Sequence, residues 1–482
     1  MFWSVSGTIV SKGAVFLAAA CVARILGKEK FGEVGIIQNT VQMGGAVVGF
    51  AIAATATKHI AEYRKTRPVR AANILTLALA VSAIGGTIGT LALLFLAPAI
   101  ATSVLGAAHL AFPLQLSAGL FFFSALNGGQ SGALAGMEAF KEMAIVNVLV
   151  GMSSLPLIVL GAVWGSVQGV VLAYVAASAL NVVLYTMVLR RSLHAAQWTL
   201  NLRNCRSEFP MLFRFTLPSL FSGVLSAATQ WVCSVMLVNQ ADGFAKMGLL
   251  NAANQWRQIF VYLPSVIASV ALPLLSSLAG EKSRSANDEG MELVNASNQI
   301  VVWPMAMMLM LSATPVMALY GDKFSDGGTT LVWIIGGYAV GFVGQTIGTI
   351  LISKGMMWFC FFQNVSLAAV NVGLVYLLIE RNGPRAIGMA SGIAFLVLIV
   401  WAVAVLIRKN VISAAMGIRT LLAAGTMFCT TAIVSIHISQ ITVMNGVAAF
   451  LILLPMAFVF MEKRIVRKIS SRVVAILRHR PS

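Results

Sequence analysis

Residues 71–97 read AANILTLALAVSAIGGTIGTLALLFLA, and this stretch contains no charged side chain. A helix needs about 20 mostly apolar residues to cross the hydrocarbon core of a bilayer. The stretch therefore predicts a membrane-spanning helix, and its extra length predicts tilt or an interfacial extension.

Similar apolar segments recur along the whole chain. Of its 482 residues, 59% are hydrophobic and 10% are charged, and the mean hydropathy is +0.89. Soluble proteins carry about 25% charged residues, so this surface must face lipid. The predicted spans lie near 6–26, 33–57, 71–97, 113–136, 144–163, 168–189, 212–237, 246–278, 295–320, 329–353, 358–379, 386–407, 418–438 and 445–461.

The basic residues predict the orientation of these fourteen spans. Of 33 Lys and Arg residues, 24 lie in one set of alternate loops and the tail, 6 in the other set and 3 inside spans. Because basic loops stay in the cytoplasm, both termini are predicted to be cytoplasmic. The net charge of +18 then comes from the loops. The sequence has no basic block in a soluble segment that would indicate nucleic-acid binding. The basic tail after residue 461 either lies on anionic lipid as a short helix or only anchors the topology.

A short internal repeat indicates duplication. Residues 35–42, GIIQNTVQ, align with residues 248–255, GLLNAANQ, and the longest polar interruption, 190–214, separates six spans from eight. These features predict an all-α polytopic membrane protein of about fourteen transmembrane helices. Its parts are an N-terminal six-helix bundle (1–190), a cytoplasmic linker (191–211), a C-terminal six-helix bundle (212–407), and two extra helices with a basic tail (408–482). Parallel repeats of this kind are typical of transporters with a site at the repeat interface.

Enzyme motifs are missing from the sequence. It contains no GxxxxGK[ST], HExxH or GxSxG motif, and no loop much exceeds twenty residues. Its five cysteines are scattered without CxxC spacing, which predicts buried apolar side chains and neither a metal site nor a disulfide. We therefore expect a transporter without cofactor or metal, and no catalytic residues.

Three cations lie inside predicted spans: Lys12, Arg24 and Arg257. A cation in a span costs a few kcal/mol and usually faces a cavity or a partner, although each of these three could also snorkel to an interface. The membrane interior is predicted to hold no Asp or Glu, and the nearest carboxylates lie at outer helix ends: Glu29, Glu33 and Asp242. An anionic ligand or water would compensate the three charges.

Amide side chains form two clusters related by the repeat. One helical face of the eighth span carries Asn251, Asn254, Gln255 and Gln258, and the second span carries Gln38, Asn39 and Gln42. Such amides either hold helices together or line a polar lumen suited to sugar hydroxyls, which need donors and acceptors. Further candidates for that lumen are Asn127, Gln130 and Gln345.

Three motifs resemble a known family. Residues 24–35, RILGKEKFGEVG, resemble the "aRlLGpeeFGlY" opening of the Wzx-type polysaccharide transporters, which are lipid-linked oligosaccharide flippases. Residues 248–255, followed by Tyr262-Leu-Pro264 and by ALPLLS at 271–276, resemble that family's "GlY.aa..i..lp..ia.alfPals" pattern, and LYGDKF at 319–324 resembles its "lyG..f" loop. Two usual tyrosines are replaced by Val34 and Leu250, so both positions remain apolar.

The resemblance implies a fold and an activity. The family belongs to the multidrug/oligosaccharidyl-lipid/polysaccharide exporter superfamily, with two six-helix bundles around a central cavity and two extra C-terminal helices. The implied activity is alternating-access transfer of undecaprenyl-pyrophosphate-linked oligosaccharide, an O-antigen or similar repeat unit for lipopolysaccharide, from the cytoplasmic to the periplasmic leaflet of a bacterial inner membrane. The resemblance implies that the diphosphate is contacted by Arg24, Arg257 and Lys12. The two amide clusters would contact the sugar. Implied partners are membrane lipid, a polysaccharide polymerase and other assembly proteins.

Two other functions remain open. An ion-coupled small-molecule antiporter of the same superfamily would need an acidic coupling residue, for which Glu33 and Asp242 are the candidates. A membrane-embedded glycan polymerase usually has a large periplasmic loop with catalytic residues, whereas the longest predicted outer loop, 98–112, lacks Arg, Lys, Asp and Glu.

Overall fold

The computed structural model describes residues 2–199, 201, 217–279, 299–353 and 357–438. Every regular element in these ranges is a helix. The chain forms two compact units, residues 1–252 and 253–482. The boundary at the linker 191–211 was predicted from the internal repeat, and it stays a prediction.

The first unit contains five whole helices and the start of a sixth. They are α1 (Phe2–Tyr63), α2 (Pro68–Ala99), α3 (Ala111–Gly136), α4 (Phe140–Ala196), α5 (Leu217–Val238) and α6 (Gly243–Ala279). Helix α1 packs against α3, α4 and α5, and α2 packs against α3. A π-helical turn, Ile100–Val104, and a 3-10 turn, Ala108–Leu110, join α2 to α3.

Two of these helices each contain two predicted spans. Helix α1 is interrupted at Gly27 (φ 76°, ψ 175°) and α4 at Ser166 (φ 53°, ψ −134°). The first and second predicted spans lie on either side of Gly27, and the fifth and sixth lie on either side of Ser166. The loop expected at 27–32 is therefore a single-residue break, because the polar residues after Gly27 continue the helix.

Close helix contacts in this unit depend on small residues. A Cβ atom added to Gly128 of α3 would lie 2.4 Å from the Cα atom of Gly49 in α1, so a larger residue would separate the two backbones. Small residues allow this approach in membranes, where packing rather than water exclusion holds helices together.

At the loop ends of α1 and α3, Arg64 forms an ion pair with Glu138 and donates from Nη1 to the carbonyl oxygen of Met137 at 3.0 Å. The hydrogen bond from Arg64 lowers the pKa of the Glu138 carboxyl group. This contact joins the two loops that are predicted to be cytoplasmic.

The second unit continues α6 and adds six helices among its described residues. They are α7 (Gln299–Leu311), α8 (Ala313–Ala318), α9 (Gly328–Ser353), α10 (Met357–Asn382), α11 (Arg385–Arg408) and α12 (Ala414–His437). Helix α9 packs against α11 and α12, and α10 packs against α11.

These helices confirm the predicted all-helical membrane fold. Within the described ranges, eight helices are long and apolar enough to cross a membrane, and two shorter apolar helices cover Gly223–Val238 and Gln299–Leu311. Thirteen of the predicted spans overlap described helices, although residues 212–216 and 295–298 of two of them lie outside the described residues. The fourteenth, 445–461, and the basic tail lie outside the described residues.

Candidate functional site

Arg257 is held in place on α6 by two contacts in the second unit. Its Nε atom donates to Oδ1 of Asn254 at 2.8 Å, and its guanidinium carbon lies 4.6 Å from the ring centroid of Tyr338. The second contact is a cation–π interaction. Within the described residues these contacts leave the terminal guanidinium nitrogens without a hydrogen bond. Arg257 is therefore oriented and able to donate to an anion.

The two basic residues of α1 lie on different faces of that helix. Lys12 and Arg24 are twelve residues apart, which separates them by roughly 18 Å along the axis and about 120° around it. Lys12 is exposed although it shares a face with Ala19 and Ala23, which are buried. Lys12 is therefore an exposed cation on a helical face whose later residues are buried.

Arg24 lies three residues before the break at Gly27. Its helical face also carries Val10 and Leu17, which are exposed to 46% and 56%. An exposed apolar face is what a lipid-facing helix presents, so Arg24 is placed where an arginine can extend toward the interface. The structure does not bring Lys12 and Arg24 together.

The amides of the second span contact different neighbours. Asn39 donates from Nδ2 to Oγ of Ser234 at 3.1 Å, and Gln38 shares a hydrogen bond with Tyr174. Gln42, one turn further along, is exposed. In this cluster, Gln38 and Asn39 hold helices together, and Gln42 presents its amide to open space.

The amide face of α6 is divided in the same way. The buried side chain of Asn251 packs against Gly35 and lies 3.5 Å from the carbonyl oxygen of Phe31. Asn254 accepts the hydrogen bond from Arg257, Gln255 is half-buried, and Gln258 is exposed. Only the later part of this face is available to a ligand.

Two further amide candidates, Gln130 and Gln345, have different surroundings. Gln130 is buried and donates from Nε2 to Oγ1 of Thr186 at 2.8 Å, so it connects α3 to α4. Gln345, by contrast, lines a cavity of about 360 Å³ inside the second unit.

This cavity lies among α6, α9, α10 and α11. Besides apolar and glycine positions, its walls carry three amides and three aromatic rings: Gln345, Gln363, Asn364, Tyr338, Phe342 and Phe395. Of the described residues that line it, none is charged. The cavity therefore offers hydrogen bonds and aromatic faces and no counter-charge for a cation.

Sequence reasoning missed Gln363, Asn364 and the aromatic residues of this cavity. The signal was present, because two adjacent amides in the eleventh predicted span are unusual in an apolar helix. We find no group of three potential metal-ligating side chains in the described ranges.

The two acidic candidates lie in the first unit, Glu33 within α1 and Asp242 just before α6. Oε1 of Glu33 is 3.0 Å from Nε2 of His109, in the turn before α3. Asp242 directly precedes α6, where its carbonyl oxygen accepts from the backbone N–H of Lys246. Neither carboxylate lines the cavity.

A family model described as "Polysaccharide biosynthesis protein" matches residues 1–279, more than half of the chain. The chain belongs to this family. The EPS I polysaccharide export inner membrane protein EpsE of Ralstonia nicotianae is 22% identical over 403 residues, which are 82% of this chain and 89% of the relative. The EpsE protein of Ralstonia solanacearum is 20% identical over 200 residues, 41% of this chain and 46% of the relative.

Solved structures are similar to this chain in fold. An inward-facing MATE family multidrug transporter of the MOP superfamily matches with a TM-score of 0.69 and 14% identity, over 89% of this chain and 99% of the other. The lipid II flippase MurJ, in an inward closed conformation, matches with a TM-score of 0.68 and 13% identity, over 95% of this chain and 99% of the other. These findings confirm the resemblance and the fold class. Val34 and Leu250, which depart from the family motifs, are both buried, so the apolar character of these positions is kept.

Proposed function

We propose that this protein is a flippase for an undecaprenyl-diphosphate-linked oligosaccharide, an O-antigen or similar repeat unit. It would move the headgroup from the cytoplasmic to the periplasmic leaflet of a bacterial inner membrane, with both termini in the cytoplasm. The observation that carries the proposal is Arg257, an oriented cation beside a cavity whose described lining holds amides and no carboxylate. Membership of the family and the polysaccharide export named for its relatives support it.

The chemistry of such a substrate matches the side chains. A diphosphate accepts charge-assisted hydrogen bonds from guanidinium groups, which are stronger than those between neutral groups. Sugar hydroxyls need both donors and acceptors, which amides supply. In this proposal Arg257 contacts the diphosphate, and Arg24 and Lys12, which the structure does not bring together, would each contact it at a different step of transfer. The exposed amides Gln42 and Gln258, together with half-buried Gln255, contact sugar.

The mechanism follows from where the substrate is anchored. The polyprenyl tail stays in the bilayer, while only the charged, hydroxyl-rich headgroup needs a polar route. Alternating access between two bundles would expose the headgroup first to one side and then to the other. Arg257 would lower the cost of moving the diphosphate away from water, because a buried charge needs a partner.

Substitution of the proposed diphosphate contacts tests this function. Arg257→Gln and Arg24→Gln remove one charge each, and we expect each to reduce surface polysaccharide about tenfold or more at normal expression, since a hydrogen bond to a charged group contributes ~1.5–3 kcal/mol. Lys409→Gln, at an exposed position after α11, is the matched control and should leave export unchanged. Wild-type polysaccharide in both arginine variants would refute the site assignment.

A further inference from the structure

The cavity in the second unit is lined by two adjacent amides, Gln363 and Asn364. The side chains of Gln363 and Asn364 make no hydrogen bond to any residue that the structure describes. Gln363 is half-buried and Asn364 is exposed, so both amides are available to water or to a ligand with hydrogen-bonding groups.

The side chain of Asn364 is exposed to the cavity and not to the outer surface of its unit. Asn364 shares a helical face with Asn371 and Val375, seven and eleven residues further along α10, and both of these side chains are buried. The opposite face carries Trp358, Phe362 and Tyr376, which are exposed large side chains. Asn364 thus points toward the interior of its unit.

The position of Arg257 relates this cavity to the diphosphate contact. Val261, one turn after Arg257 on α6, lines the cavity, and so does Tyr338, over whose ring the guanidinium lies. From Tyr338 the lining continues along α9 to Gly348, a distance of roughly 15 Å for ten helical residues. Arg257 therefore lies at one end of an elongated neutral cavity.

We infer that this cavity is a binding subsite for a sugar ring of a polyprenyl-diphosphate-linked substrate. Tyr338, Phe342 and Phe395 offer flat faces to the C–H side of a pyranose ring, and the amides bind its hydroxyl or acetamido groups. The volume of about 360 Å³ is near the lower end of the ~300–1,000 Å³ range of small-molecule sites, so a single sugar fits and a whole repeat unit does not. This inference rests on the proposed function, because Arg257 would hold the adjoining diphosphate.

A glycine in the wall allows the cavity to be filled. A Cβ atom added to Gly348 would meet no other atom within 4 Å, so Gly348→Leu places a side chain in open space. Leucine is also favoured over glycine within a helix. Gly373→Leu is the matched control, because Gly373 of α10 is exposed, is equally free of neighbours and does not line the cavity.

The test measures lipid binding to the purified full-length protein in nanodiscs. The probes are undecaprenyl diphosphate and the same lipid carrying glucose, galactose or N-acetylglucosamine. We expect wild type and Gly373→Leu to bind at least one sugar-bearing lipid about tenfold more tightly than the bare lipid, as two or more added hydrogen bonds imply. Gly348→Leu should lose this preference and bind the bare lipid as wild type does.

A second variant removes the polar groups and keeps the space. Gln363→Leu combined with Asn364→Leu should reduce the preference by about threefold or more, whereas Gln168→Leu, an exposed amide of the first unit, should not. Arg257→Gln should weaken binding of bare and sugar-bearing lipids alike.

Each failure has a separate meaning. If wild type binds the bare lipid but shows no preference for any of the three sugars, or if Gly348→Leu keeps the preference, the sugar subsite is refuted and the diphosphate contact stands. If wild type binds neither kind of lipid, the proposed function itself fails.

Discussion

Arg257 combines three properties that suit an anion-binding residue. It is half-buried, it is oriented through Nε by Asn254, and its flat guanidinium lies against the ring of Tyr338. Lys12 and Arg24 are exposed on separate faces of α1. Among the three predicted cations, Arg257 therefore has the geometry best suited to bind a diphosphate.

The shape of the guanidinium should matter as well as its charge. Arg257→Lys keeps the charge, but an ammonium group cannot donate to Asn254 and bind two phosphate oxygens in one plane. We expect undecaprenyl diphosphate to bind about tenfold more weakly, measured with the purified variant in nanodiscs. Wild-type affinity in Arg257→Lys would mean that charge alone is required.

Single residues differ in how well the sequence reveals them. A charge in an apolar run is visible directly, so Lys12, Arg24 and Arg257 were predictable. The roles of the amides were not, because a hydrogen bond such as that from Gln130 to Thr186 depends on which helices become neighbours. Gln363 and Asn364 gain their importance from a cavity that only three-dimensional packing creates.

Among the helices, the break in α1 depends on one backbone position. Gly27 has φ 76° and ψ 175°, a region that only glycine occupies readily, and it separates the first predicted span from the second. Lys28 to Phe31 continue as helix directly after it. The hydropathy pattern predicted the two spans correctly but not the short break, because charged residues at an interface can remain helical.

Substitution of Gly27 should strain this break without a steric clash. A Cβ atom at Gly27 meets nothing within 4 Å, so Gly27→Ala tests the backbone conformation alone and should cost ~1–3 kcal/mol. The control is Gly13→Ala in the same helix, where a Cβ atom is also free of contacts and alanine is favoured. We expect a lower melting temperature in detergent only for Gly27→Ala; equal melting temperatures would contradict a glycine-dependent break.

At the scale of the molecule, composition and charge distribution were sufficient for the fold class. An apolar chain with short loops has few alternatives to a helical bundle in a bilayer. The chain divides into its two compact units between Ala252 and Ala253, inside α6, whereas the sequence repeat predicts a division at 191–211. The reason is that α5, which follows the predicted linker, packs against α1.

The central claim, transfer of a diphosphate-linked sugar between leaflets, is tested most directly in proteoliposomes. These contain undecaprenyl-diphosphate-linked N-acetylglucosamine, and a membrane-impermeant galactosyltransferase with UDP-galactose is added outside. We predict that wild-type protein makes nearly the whole lipid pool reactive, while Arg257→Gln leaves only the outer-leaflet share reactive. If wild-type proteoliposomes react no further than protein-free liposomes, the protein does not flip this lipid and the account is contradicted.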